Sequence, residues 1–195
     1  MIDKISLIKK YFNEKASSWN DNNVVNINIL NLLFDKGALI HNQSILDVGC
    51  GTGALFDYYL KNNAKSITGI DISDKMIDIA KAKYSNINLL CDDIISFNSR
   101  DKYDLIVIYN TLPHIMNLDL LFINLKRILN KNGKVIIAFG QSRDKTNLIH
   151  NTISCDISSE LPEIDELCTF IDKYFTVIYS VSNEFIYEII CLNKK

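Results

Sequence analysis

The sequence predicts an α/β fold: a three-layer sandwich around a seven-stranded, mostly parallel, doubly wound sheet whose last strand runs antiparallel, preceded by an N-terminal helical cap. Two observations carry this. From Ser44 onward, short apolar runs alternate with helical stretches, which implies βαβ crossovers and a parallel sheet covered on both faces. Late in the chain, two strand-like runs are joined by a short turn, and a hairpin sets one strand against its neighbour. The 195 residues suit one globular unit, and 48% hydrophobic with 23% charged residues excludes disorder or a coiled coil.

The elements follow in order. Ile5, Ile8, Phe12, Ala16 and Trp19 recur at the i, i+3, i+4 spacing of an amphipathic helix over 4–19. A second helix is expected over 22–36, with Val25, Ile29, Leu32 and Leu33 inward and Gly37 as the stop. These helices define a cap over residues 1–40, and residues 41–195 form the core domain. Strands are expected at 44–48, 66–70, 87–90, 103–109 and 133–139, separated by helices around 53–62, 73–84 and 119–130. A helix at 162–174 presents Ile164, Leu167, Cys168 and Ile171 inward, and strands 176–181 and 185–192 form the hairpin.

Composition narrows the function. A net charge of −2 and no basic run argue against a nucleic-acid backbone as partner, since that affinity rests on Lys and Arg. Five scattered cysteines without a C-x-x-C pair suggest reduced thiols, no disulfide framework and no metal site. The start Met1-Ile2-Asp3-Lys4-Ile5 lacks signal-peptide order and no apolar run would cross a bilayer, so the cytoplasm is the expected location.

Glycine is scarce, at seven residues, yet three lie in Asp47-Val48-Gly49-Cys50-Gly51-Thr52-Gly53, directly after the first strand. Glycines there permit a tight turn, let a ligand approach the backbone, and offer N–H groups at a helix start to an anion. A nucleotide-like cofactor is the natural occupant. Gly49, Gly51 and Ala54, with Asp71 about twenty residues on, also satisfy a dinucleotide fingerprint. Asp47, the third glycine Gly53, and Asp92-Asp93 after the third strand point elsewhere. Asp71-Ile72-Ser73-Asp74 also reads as a helix cap, with Ser73 at the N-cap and Asp74 in the first turn.

With these residues in place, the chain resembles the class I S-adenosylmethionine-dependent methyltransferases. Ile45–Gly53 resembles their first motif and Gly69-Ile70-Asp71 their second. Cys91-Asp92-Asp93-Ile94 resembles the acidic loop after strand three, and Tyr103–Ile108 with Leu112-Pro113-His114-Ile115 the fourth motif. The resemblance implies a Rossmann-like methyltransferase fold and S-adenosylmethionine as cofactor, with S-adenosylhomocysteine as product. It further implies that Gly49, Cys50, Gly51 and Gly53 hold the methionine part, oriented by Asp47. Asp71 would accept the ribose hydroxyls and Ile72 pack on adenine. Asp92 would take the adenine amino group, with Asp93 giving backbone contacts. Asn110 would border the methyl group, and Trp19, with Tyr11 behind it, would reach the cofactor from the cap.

On the acceptor side, His114 and His150 are the candidate catalytic residues, since histidine removes protons near neutral pH. Arg143, Asn147 and His150 would share one helix face, and His41 is incidental. The expected activity is methyl transfer to a small molecule, because a cap of about forty residues leaves little platform for a large partner. Methylation of protein or RNA, or a cofactor-binding scaffold without chemistry, are the alternatives.

Overall fold

The computed structural model describes residues 4–22 and 24–193; the signal-peptide reading at residues 1–3 lies outside them. Its sheet has seven strands in the order β3-β2-β1-β4-β5-β7-β6. These are β1 (Ser44–Val48), β2 (Ser66–Asp71), β3 (Asn88–Cys91), β4 (Tyr103–Tyr109), β5 (Leu129–Phe139), β6 (Phe175–Ser182) and β7 (Tyr187–Asn193). The helices are α1 (Lys4–Lys15), α2 (Trp19–Asn22), α3 (Ile27–Leu33), α4 (Phe56–Lys61), α5 (Asp74–Lys83), α6 (Leu118–Ile128), α7 (Arg143–His150) and α8 (Ile164–Ile171). β1 pairs in parallel with β2 and with β4, and β4 with β5, whereas β7 runs antiparallel to both β5 and β6. β7 thus enters the sheet between β5 and β6, and the sandwich expected from the sequence is present.

Strand periodicity divides the interior into two layers. Leu46 and Val48 of β1, Ile106 and Ile108 of β4, and Val135, Ile137 and Phe139 of β5 pack with α6 and α8 on one face. Ile45, Leu105, Val107, Ile136 and Ala138 pack with α3, α4 and α5 on the other. Alternation places Asp47 on this second face, a polar position among apolar ones.

Several boundaries depart from expectation for local reasons. The first predicted helix breaks after Lys15 into a 3₁₀ turn, Ala16–Ser18, before α2 begins at Trp19. The second begins only at Ile27, where the Asn26 side chain caps it by accepting from Asn28 N at 2.9 Å, and Leu32 faces solvent. α4 starts at Phe56 because Gly53, at φ +89°, lies outside the helical region. α6 ends two residues early, and Leu129 opens β5 opposite Tyr103 before a shift in register. The first forty residues also have two destinations. α1 lies across the open ends of the strands, but Leu30, Leu33, Phe34 and Ile40 are fully buried in the core beside α4.

Candidate functional site

A cavity of about 970 Å³ opens at the carboxyl ends of β1 to β5, where the strand order reverses between β1 and β4. Open α/β sheets place ligands at such a switch point. The volume is at the upper end of the ~300–1,000 Å³ range of small-molecule sites, room for two ligands side by side.

The floor is the loop after β1. Gly49, Gly51 and Gly53 all have positive φ, at +69°, +54° and +89°. A Cβ at Gly49 would stand 2.3 Å from Thr111 Cγ2, so the close approach of the β1 and β4 loops requires glycine there. At Gly51 the nearest atom to a Cβ would be Trp19 Nε1 at 3.9 Å, so this residue faces open cavity beneath the indole. Gly53 corrects the expectation that it touches the cofactor. It does not line the cavity; its Cβ would meet Phe56 at 2.6 Å and Tyr84 at 2.7 Å, so it lets the turn pack onto α4 and the end of α5. Cys50 contributes backbone to the wall, while its Sγ packs toward Gly69 in the interior. Burial first, then the nearby Asp47 and Asp71, holds that thiol well above its usual pKa, which removes it as a nucleophile.

The loop amides do not wait for an anion. Gly49 N and Cys50 N donate to Ile70 O at 2.8 and 3.1 Å, Gly51 N to Asp71 Oδ2 at 2.8 Å, and Gly53 N to Cys50 O at 2.9 Å. Asp71 Oδ1 accepts from Ser73 N at 2.8 Å, and Ser73 Oγ caps α5 by accepting from Met76 N. Cap and binding site therefore share residues here. Each Asp71 oxygen keeps a lone pair, because one N–H occupies only one of two. Burial raises the Asp71 pKa to about 6 against the pull of those two N–H groups. Asp47 is pushed to about 8 by burial and then by the Asp71 charge, with the Tyr59 hydroxyl acting in the opposite sense.

The remaining polar candidates also reach the cavity. Ile72, Asp92, Asp93 and Asn110 line it. Asp92 Oδ1 accepts from Asp93 N at 2.8 Å and Asp93 Oδ1 from Ile95 N at 3.0 Å, which tightens the turn after β3. Buried Asn124 of α6 braces that turn by donating to Ile94 O and Phe97 O. Asn110 has φ +52°, donates to Ala138 O at 2.9 Å, and accepts from Gly140 N at 3.2 Å, so it ties the β4 loop to the end of β5.

The roof is α1 with the turn after it. Trp19, Phe12 and His114 form a chain of edge-to-face rings, with centroids 5.7 Å and 4.8 Å apart. His114 then meets His150 at 4.9 Å, so two residues 36 positions apart become one pair. The His114 Nδ1 lies 3.0 Å from Ile157 O, and His150 Nδ1 contacts Ser158 Oγ. Because a carbonyl only accepts, His114 carries its proton on Nδ1 and leaves Nε2 as the acceptor. Burial lowers its pKa to about 4, the Ile157 contact opposing and His150 assisting; burial also lowers that of His150.

Sequence reasoning missed the fastening of the roof. Asn13 Oδ1 accepts from Ser73 Oγ at 2.6 Å, its Nδ2 donates to Asp74 Oδ1 at 3.0 Å, and Lys9 pairs with Asp74 at 2.9 Å. Asn20 completes it, accepting from Thr52 Oγ1 at 2.6 Å. No short-range signal marks these contacts, since the Asn13 partners lie about sixty residues away. The spacing of Phe12 marks it only as an inward helix residue, and Ile157 and Ser158, which fix the histidines, lie in no motif. Among the described residues no cluster of His, Cys, Asp and Glu could hold a metal, and no helix is long and apolar enough to cross a membrane.

Comparison with known proteins adds the family. Residues 46–137 match the family described as Methyltransferase domain, the segment that contains the floor loop, Asp71, Asp92 and Asn110. The chain carries a methyltransferase domain, similar to those of the class I S-adenosylmethionine-dependent enzymes. A malonyl-[acyl-carrier protein] O-methyltransferase of Ilyobacter polytropus is 33% identical over 153 residues, 73% of this chain and 56% of that protein. Another of that name from Priestia megaterium is 27% identical, over 86% of this chain and 68% of that protein. The chain spans roughly half the length of the curated relatives it matches, from 44% to 68%. A crystal structure of magnesium protoporphyrin IX methyltransferase from Synechocystis PCC 6803, with bound S-adenosylhomocysteine, superposes with a TM-score of 0.73 at 16% identity. It covers 98% of this chain and all of that one, which establishes the methyltransferase fold.

Proposed function

We propose that this chain is a class I methyltransferase that binds S-adenosylmethionine and transfers its methyl group to a small-molecule acceptor. One observation carries the choice of cofactor. The amides of Gly49, Cys50, Gly51 and Gly53 are already bonded within the protein, while Asp47, Asp71, Asp92 and Asp93 ring the same cavity. A pyrophosphate would find no N–H from these four residues and four carboxyl groups facing it. A ligand with hydroxyl donors and positive charge finds what it needs.

In this reading Asp71 receives the two ribose hydroxyls on its remaining lone pairs, and Ile72 packs against the adenine. Asp92 takes the adenine amino group and the Asp93 backbone supplements it. The methionine part lies on Gly49 to Gly51 under Trp19, and Asn110 and Asp47 border its amine. The bound cofactor supplies a methyl group on an electron-poor sulfur, ready for displacement by a nucleophile. The chain's own contribution is alignment of two ligands in a closed compartment, which can lower a barrier by ~7–11 kcal/mol in favourable intramolecular cases. His114 Nε2 accepts a hydrogen bond from the acceptor. A small acceptor is favoured because α1 roofs the cavity, and the name of one relative, a ubiquinone biosynthesis O-methyltransferase 31% identical to this chain, points the same way.

Isothermal calorimetry tests the cofactor. S-adenosylhomocysteine should bind with micromolar affinity and NAD not measurably; the reverse result would remove the assignment.

A further inference from the structure

We propose that the acceptor compartment is built for an uncharged lipophilic hydroxy compound, held by apolar side chains and by one hydrogen bond from its hydroxyl to His114. The inference rests on the methyltransferase reading and specifies the second ligand of the same site.

The cavity lining divides by element. The carboxyl groups Asp47, Asp71, Asp92 and Asp93 all come from the ends of β1, β2 and β3. The wall formed by α1, α7 and the segments after β4 and α7 instead presents Ile5, Ile8, Phe12, Met116, Ile149 and Ile153. Ile5 and Ile149 are among the larger exposed apolar residues of the protein, so apolar surface continues from the interior to the mouth. An acceptor with an apolar body buries this surface at roughly 25 cal/mol per Å².

The polar groups of this wall fix the reacting end. No Asp or Glu of the cavity lining lies on it, so an ammonium would enter without a counter-charge. Two lysines of α1 line the cavity: Lys4 is paired with Asp156 at 3.2 Å, and the Lys15 ammonium lies over the Tyr11 ring, 5.9 Å from its centroid. The imidazole of His114 is neutral: it is buried against Phe12 and His150, and a carbonyl holds its Nδ1 proton. Its free function is therefore an acceptor at Nε2, which an O–H satisfies and a carboxylate does not. During transfer the hydroxyl oxygen bonds to the methyl carbon, the carbon–sulfur bond breaks with its pair left on sulfur, and the hydroxyl proton is released to solvent, His114 Nε2 serving to orient the oxygen through its hydrogen bond.

Three probes share one apolar body and differ at the head: 4-pentylphenol, 4-pentylbenzoate and 4-pentylbenzylamine. Each is titrated calorimetrically into the full chain saturated with S-adenosylhomocysteine. The phenol should bind at least tenfold tighter than the other two, and S-adenosylmethionine in place of the product should yield its methyl ether. His114→Leu should lower phenol affinity about tenfold while leaving pentylbenzene, which lacks the hydroxyl, unchanged. Ile149→Asp, on the exposed rim, should weaken all apolar probes and retain S-adenosylhomocysteine binding. Equal or tighter binding of the benzoate or the amine, or no phenol binding by a protein that holds S-adenosylhomocysteine, overturns this inference alone. Failure of S-adenosylhomocysteine to bind overturns the cofactor reading beneath it.

Discussion

The wall contributed by β1, β2 and β3 and the wall contributed by α1, α7 and the β4 loop enclose the same cavity but hold their shape differently. In the first, main-chain geometry dominates: positive-φ glycines, N–H groups bonded to Ile70 O, and a carboxylate gripped by two amides. In the second, side chains from segments distant in sequence converge, as Phe12, His114 and His150 do. The difference teaches where change is tolerated. A wall made of backbone fixes one ligand shape, whereas a wall made of apolar side chains can be repacked for another acceptor without disturbing the fold.

The harshest test strikes the backbone-built wall. Asp71→Ala removes two acceptors for hydroxyl groups, each bond to a charged group being worth ~1.5–3 kcal/mol, and should weaken S-adenosylhomocysteine binding by about a hundredfold or more by calorimetry. Asp71→Asn retains the size and should still lose most of that affinity; unchanged affinity in both would remove the ribose assignment. Gly49→Ala follows, since the new Cβ meets Thr111 and the residue must keep φ +69°. It should lower the melting temperature by about 4–8 °C, the equivalent of ~2 kcal/mol in a chain of this size.

A pH series separates ligand-linked from purely structural carboxyl groups. Glu188 of β7 is buried outside the cavity, and burial raises its pKa to about 8. Its folded-state pKa exceeds the unfolded value near 4.5, so the folded state binds the extra proton and stability falls as pH rises from about 4.5 through 8. Glu188→Gln cannot titrate, and its thermal stability relative to the parent should improve between pH 5.5 and 8.5. A constant difference across that window would exclude the linkage. S-adenosylhomocysteine should leave this slope intact, because Glu188 does not line the site. The smallest effect is expected at the seam between the walls: Asn13→Ala should speed S-adenosylhomocysteine dissociation about fivefold in stopped-flow, the loss of roughly 1 kcal/mol of hydrogen bonding.

The same contrast explains what could be read from the sequence. The mostly parallel sheet with its antiparallel last strand, the glycine turn after β1 and the Ser73 cap were legible because local backbone requirements leave local residue signatures. Gly53 shows the limit: its residue type was forced, yet the Phe56 and Tyr84 rings that force it lie on the far side from the cavity. Asn13 and the His114–His150 pair depend on how α1 and α7 settle on the sheet, a matter of tertiary packing with no short-range pattern. Asn26 capping α3 late, and Leu32 turning outward, show a local hydrogen bond overruling an apolar repeat.

The insertion of β7 between β5 and β6 has a kinetic meaning. Chain order cannot be assembly order at this edge: β6 has no partner until β7, which follows it, has paired back onto β5, some fifty residues upstream. Closing that loop costs entropy before any ladder bond repays it, so β5 must wait with an unsatisfied flank while the β1–β4 centre is already paired. Pulsed hydrogen exchange during refolding should find amides of β1 and β4 protected first and those of β6 last, and the transient β5 flank is where intermediates of this protein would stick to one another.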